Sequence, residues 1–173
     1  YTDTEMEAYV YVSWAGSEIA AAAVCISGTV YLLKGAAAKE FFEKCRAGLS
    51  VHDAKPLIKI FGESIKISFD TMLAAYLLNP SAHDYSLKRL AAEYSVELPK
   101  VGGRDMDDTA SEQLSFGDIS TAEEYDDIIF GSALLAAVAM RLKSEISAQS
   151  MNSLLYDVEI PLSYVLADME NVG

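Results

Sequence analysis

The chain has 173 residues, a net charge of −13 and 51% hydrophobic side chains. That length fits about one domain, and the apolar content supports a substantial core, which excludes a disordered tail. A sequence pI near 4.4 excludes a broadly basic nucleic-acid-binding surface, because without intervening divalent cations such a chain repels phosphate.

Apolar runs such as residues 19–26 are too short to span a membrane, and no basic segment precedes that run, so neither a membrane span nor a secretory leader is expected. Cys25 and Cys45 lack ligand partners at metal spacing, and only His52 and His83 could assist them. Free thiols in a reducing cytoplasm are therefore expected, with no zinc site.

Residues 8–14 (AYVYVSW) alternate and are aromatic and β-branched, which predicts a strand with Val10, Val12 and Trp14 on one face. Residues 19–26 and 29–33 form a hairpin around Ser27-Gly28. A helix over 36–46 buries Phe41, Phe42 and Cys45 or a close variant of that face. A short strand at 50–53 leads to a helix that starts at Pro56, runs to about Ile60 and ends at Gly62. A strand over 65–69 follows, then Asp70 at an N-cap position and a helix over 71–78 stopped by Asn79-Pro80.

Leu87, Leu90, Ala91 and Tyr94 mark a further amphipathic helix. Residues 100–120 are polar and read as a loop. A long helix then begins near Ser120, where Ser120 and Glu123 fit a capping box, and runs to about Ser147. Its Gly131-Ser132 pair lowers helix propensity by about 1 kcal/mol for the glycine, which suggests close packing there. The last helix, 154–169, contains Pro161 and should kink or restart at it. Three strands followed by alternating helices and strands give an α/β layer architecture with a mixed central sheet.

The stretch SFDTMLAAYLLNPSAHDYSLKRLAAEY (68–94), with VHDAK (51–55) and EIPLSYVLADMENVG (159–173), resembles the 3′–5′ exonuclease domain of bacterial DNA polymerase I of family A. It is most similar to the vestigial type found in Gram-positive bacteria. The resemblance implies a ribonuclease-H-like (DnaQ-like 3′–5′ exonuclease) fold. It also implies a parent DNA-directed DNA polymerase of replication and repair, cytoplasmic, whose polymerase domain is the intramolecular partner. On this reading residues 1–153 are the exonuclease-like domain and 154–173 a connecting helix.

A two-metal phosphodiesterase needs carboxylates converging on two cations about 4 Å apart. A D-x-E at a strand end supplies two of them, because i and i+2 point to one face. Aligned with the family's first motif, those two positions hold Val12 and Trp14. The second motif resembles H-N-x-K-x-D; here it reads His52-Asp53-Ala54-Lys55-Pro56-Leu57, with Leu57 at the metal-binding position. In the third, Y-x-x-x-D on the long helix, Ile128 and Ser132 stand at the Tyr and Asp positions.

The expectation is a fold without the chemistry: no catalytic residue, metal or cofactor, little direct nucleic-acid binding, and a closed, dry cleft. The apolar stripe of Leu162, Val165, Leu166 and Met169 would face the polymerase domain.

Asp3-Thr4-Glu5 and Tyr164…Asp168 spell the first and third motifs by chance positions, and Asp53 reads as an ion pair or cap near Lys55. Asp105-Met106-Asp107-Asp108 lacks the spacing of a calcium loop. Lys55, Lys59, Lys66, Lys88 and Arg89 form a local basic group best read as solvated faces. Two alternatives stay open: an active exonuclease that uses these non-aligned acids, and an acidic module that recruits a basic partner.

Overall fold

A computed structural model describes residues 7–99 and 120–173, the side chains of 120–124 excepted. Strands β1 (Glu7–Ala15), β2 (Glu18–Ile26) and β3 (Thr29–Lys34) form an antiparallel meander. The β2–β3 hairpin closes through Ser27 (φ 50°) and Gly28 (φ 80°). Two successive left-handed residues give the primed turn whose twist matches its strands.

β4 (Gly48–Val51) and β5 (Lys66–Asp70) add parallel to β1, in the order β3-β2-β1-β4-β5. Helix α1 (Ala36–Lys44) precedes β4 and α2 (Lys55–Phe61) lies between β4 and β5; α3 (Thr71–Leu78), α4 (Leu87–Glu93) and the 29-residue α5 (Ser120–Ala148) follow.

The strand alternation sorts the core. Ala21 and Ala23 of β2 pack with Ile128 of α5, whereas Ala22 and Val24 join the main core with Ala38 and Phe42 of α1. Helix α1 ends two residues early, at Lys44, with extended Cys45 as its C-cap. Its buried pair is Ala38 and Phe42, and Phe41 and Cys45 are half-buried against the core. β4 begins at Gly48 and stops at Val51, since Asp53 turns left-handed (φ 62°) and cannot continue the strand.

The last helix starts anew. A π-helical segment, Leu154–Glu159, precedes α6 (Ile160–Val172), and the Ile160 N–H donates to Leu155 O. Pro161 has no N–H to return to the preceding turn, and the wider i→i+5 turn ahead of it accommodates the mismatch. Leu155, Ile160 and Ala167 belong to the same core as the sheet.

Tyr164 of α6 satisfies the open edge of β5. Its hydroxyl donates to Ile65 O and accepts from Ile67 N, each at 2.9 Å. Tyr164→Phe should lower unfolding stability by about 1–2 kcal/mol and speed hydrogen exchange at Ile67, because two backbone groups lose one shared partner. Unchanged exchange at Ile67 would show that this edge is held by other contacts.

Candidate functional site: the crevice at the strand ends

The carboxyl ends of β1 and β4 and the start of α3 enclose a cavity of about 290 Å³, lined in part by Tyr11, Val12, Trp14, His52, Asp53 and Leu57. Open α/β sheets place ligand crevices at this end of their strands. Three of the four singled-out positions, Val12, Trp14 and Leu57, meet here. Leu57 is 2% exposed, but Val12 and Trp14 stay half-buried.

The expected closure of the cleft therefore does not occur. Replacing acids with apolar groups removes charge repulsion, yet the walls are held apart by backbone: β1 carries an irregularity at Ser13/Trp14, and the 52–54 turn is pinned from beneath.

Asp70 does the pinning. It is 2% exposed and accepts from four backbone N–H groups. Met72 (2.8 Å) and Leu73 (3.4 Å) are in the first turn of α3, and Asp53 (3.1 Å) and Ala54 (2.7 Å) lie across the crevice floor. Burial raises its pKa to about 6, against the lowering effect of the Ala54, Met72 and Asp53 N–H donors.

The neighbouring His52 has Nδ1 2.8 Å from Thr71 Oγ1, while that hydroxyl donates to Val51 O at 3.3 Å. The hydroxyl has one proton, so His52 carries its own on Nδ1, a tautomer assigned from this network. Burial pushes the imidazole pKa down, with Asp53 and Asp84 opposing it. Asp53 itself caps the turn, accepting from the Lys55 N–H at 3.3 Å.

Helix α5 forms the wall of an adjoining cavity of about 370 Å³, which shares Tyr11 and His52 with the first and also includes Ser86 and Lys88. The residues that α5 presents there are Asp127, Phe130, Gly131 and Leu134. Ser132 is not among them: it is 0% exposed and its Oγ donates to Ile129 O at 2.9 Å. Ile128 points to the β2 side.

The i, i+4 pair of α5 facing the crevice is thus Asp127 and Gly131, one residue earlier than Ile128 and Ser132. A Cβ on Gly131 would lie 2.6–2.8 Å from the Tyr11 ring, so the aromatic side chain occupies the space a side chain at 131 would need.

Tyr164 holds the β5 edge, as above, and Asp168 is exposed on α6. Asp3, Glu5 and Asp105–Asp108 lie outside the described residues. Of the local basic group, Lys55 and Lys59 bind Glu170 at 2.7 and 2.5 Å, and the two ammonium groups hold that carboxyl at about 2. Among the described residues no group of three or more His, Cys, Asp or Glu side chains is placed to hold a metal, and no helix is long and apolar enough to cross a membrane.

A polar cluster not signalled by motif sits at the opposite end of the strands. Glu7 pairs with Lys143 of α5 and accepts from Ser50, Ser68 (3.3 Å) and Tyr9 (3.0 Å). The Lys143 ammonium also lies 5.0 Å from the Phe69 ring centroid.

The sheet order, the parallel additions to β1 and the crevice at their carboxyl ends define a ribonuclease-H-like, DnaQ-like exonuclease fold. In agreement, the solved structure of Brucella melitensis NrnC with bound Mg2+ superposes with a TM-score of 0.65 and 13% identity, over 98% of this chain and 87% of that one. In sequence the chain is similar to a segment of bacterial DNA polymerase I, and in fold to a DnaQ-like exonuclease.

It is 31% identical to the Mycobacterium leprae DNA polymerase I over 112 residues, 62% of this chain and 12% of that protein. It is 30% identical to the Chloroflexus aurantiacus DNA polymerase I over 140 residues, 77% of this chain and 14% of that one. The chain thus spans about an eighth of the length of the relatives it matches. No protein-family model matches it.

Proposed function

We propose that the chain is a non-catalytic, structural 3′–5′ exonuclease-like domain of a DNA polymerase I. The character of the crevice carries this reading. Where a two-metal phosphodiesterase needs converging carboxylates, the strand ends present Val12 and Trp14, α2 presents Leu57, and α5 presents Gly131 together with Asp127, an acid that joins no group of three or more possible ligands among the described residues. Asp70 is committed to four backbone donors and Asp53 to its own turn, which leaves neither arranged to share a pair of cations.

The parent would be a cytoplasmic DNA-directed DNA polymerase of replication and repair, with α6 leading into its polymerase domain. The domain's part is then to support that neighbour, with no metal, no cofactor and little direct contact with DNA.

Calorimetric titration of Mn²⁺ into the folded chain, beside an assay on single-stranded DNA, tests the proposal. The expected result is no tight site and no release of nucleotides. Binding of about two metals per chain with 3′–5′ digestion would overturn it and make Asp3 and Glu5 the first motif.

A further inference from the structure

Helix α6 and the crevice floor belong to one closed circuit of contacts. Asp70, at the end of β5, holds the Asp53 and Ala54 N–H groups at 3.1 and 2.7 Å. Their turn runs directly into α2, whose Pro56 and Leu57 line the crevice. Lys55 and Lys59, one helical turn apart, share the side of α2 that meets α6. Both ammonium groups bind Glu170, at 2.7 and 2.5 Å, and the Asn171 side-chain amide donates to Lys59 O at 3.1 Å. From α6 the circuit returns through the Tyr164 hydroxyl to the backbone of Ile65 and Ile67, and along β5 to Asp70.

Two links of this circuit are built to yield. Asp53 is left-handed (φ 62°), a conformation uncommon outside glycine that persists where surrounding contacts enforce it. The Glu170 clamp lies at the surface, where water and salt weaken an ion pair. The bodies between them are packed: Leu57 and Ile58 of α2 are buried, as are Ile160, Ser163 and Ala167 of α6. A displacement at one yielding link therefore reaches the other through rigid elements, without being absorbed on the way.

We propose that turn 52–54 and the carboxyl end of α6 are the two ends of one conformational device. Releasing the Glu170 clamp loosens the crevice floor, and unpinning the floor loosens the clamp. The coupling stands apart from the non-catalytic reading, so the metal titration and the test below fail independently. Only its consequence for a polymerase domain, that strain on α6 would reach the crevice, rests on that reading.

Hydrogen exchange of the ¹⁵N-labelled 173-residue chain tests the coupling. Glu170→Lys sets a third ammonium group against Lys55 and Lys59, while Asp168→Lys makes the same change of charge at an exposed position of α6 outside the clamp. In Glu170→Lys the Asp53 and Ala54 amides should exchange at least about threefold faster than in the parent, beyond any change at the β1 and β4 amides. Asp168→Lys should leave them unchanged, and about 0.5 M salt should shrink the difference between Glu170→Lys and the parent.

The coupling is reciprocal, so Asp70→Asn should speed exchange at Met169–Asn171 beyond any change in the same sheet amides. Unchanged exchange at Asp53 and Ala54 in Glu170→Lys would overturn the proposal. Equal acceleration in Asp168→Lys would also overturn it, by tracing the effect to net charge. An effect in one direction without the other would break the reciprocity and overturn it as well.

Discussion

Asp70→Ala should destabilise the domain by about 2–4 kcal/mol at neutral pH, a large share of the stability of a single domain. The substitution removes an N-cap, costing about 1 kcal/mol, and strands the N–H groups of Asp53 and Ala54, of which Ala54 is fully buried, at about 1–3 kcal/mol each. Release of a buried carboxylate offsets part of that loss.

Asp70→Asn separates the two effects. The folded-state carboxyl titrates near 6, above its ordinary 3.8, so the folded chain holds this proton more tightly than the unfolded chain. Asp70's contribution is therefore fully present below the unfolded value and declines as pH rises through about 6, by about 3 kcal/mol in all. Repulsion among the other carboxylates is common to both proteins and cancels between them. The stability of Asp70→Asn relative to the parent should then rise by most of that amount between pH 4 and 7 in urea titrations. Parallel profiles would mean that the four N–H donors outweigh burial and keep the carboxyl in its ordinary range.

The same residue shows what a sequence can reveal and where it stops. An aspartate between a strand and an apolar helical run is a local signal, and Asp70 caps α3 as that pattern predicts. Its second task, holding the 52–54 turn open beneath the crevice, depends on a contact 16 to 17 residues back along the chain, and no local pattern encodes it. An expectation based on burial alone accordingly closes a cleft that the backbone keeps open. The first strand was legible from alternation, and the β2–β3 hairpin from Ser27-Gly28.

The rotation of α5 was not legible, because that helix is apolar on several sides, with Ile128, Leu134, Leu135, Leu142 and Ile146 all buried. A step of one residue turns a helix by about 100°, and this separates Ile128 and Ser132 from Asp127 and Gly131. The Glu7–Lys143 pair was hidden for a different reason: it joins residues 136 positions apart. The π-helical turn before Pro161 has no sequence signature beyond the proline.

Gly131 was the usable clue to the rotation, since a glycine inside a long helix implies that something lies against its backbone. The ring of Tyr11 is that object, and it leads to the second large expected effect. Gly131→Ala would ordinarily gain about 1 kcal/mol of helix propensity. Here the added methyl meets three ring atoms at 2.6–2.8 Å, and the ring stands between β1 and α5 where the two cavities join. Overpacking of this kind costs about 1–3 kcal/mol, so the net change should be destabilising, and Gly131→Val should cost more because its branches add to the overlap.

Tyr11→Ala alone removes packing and should also destabilise. Combined with Gly131→Ala, it should leave the double variant more stable than the sum of the two single losses by about 1–3 kcal/mol, a coupling that a double-mutant cycle measures directly. Additive losses would place the Tyr11 ring elsewhere in solution and with it the rotation of α5. Coupling between these two residues, with none between Tyr11 and Ser132, would fix Asp127 and Gly131 as the helix positions that face the crevice.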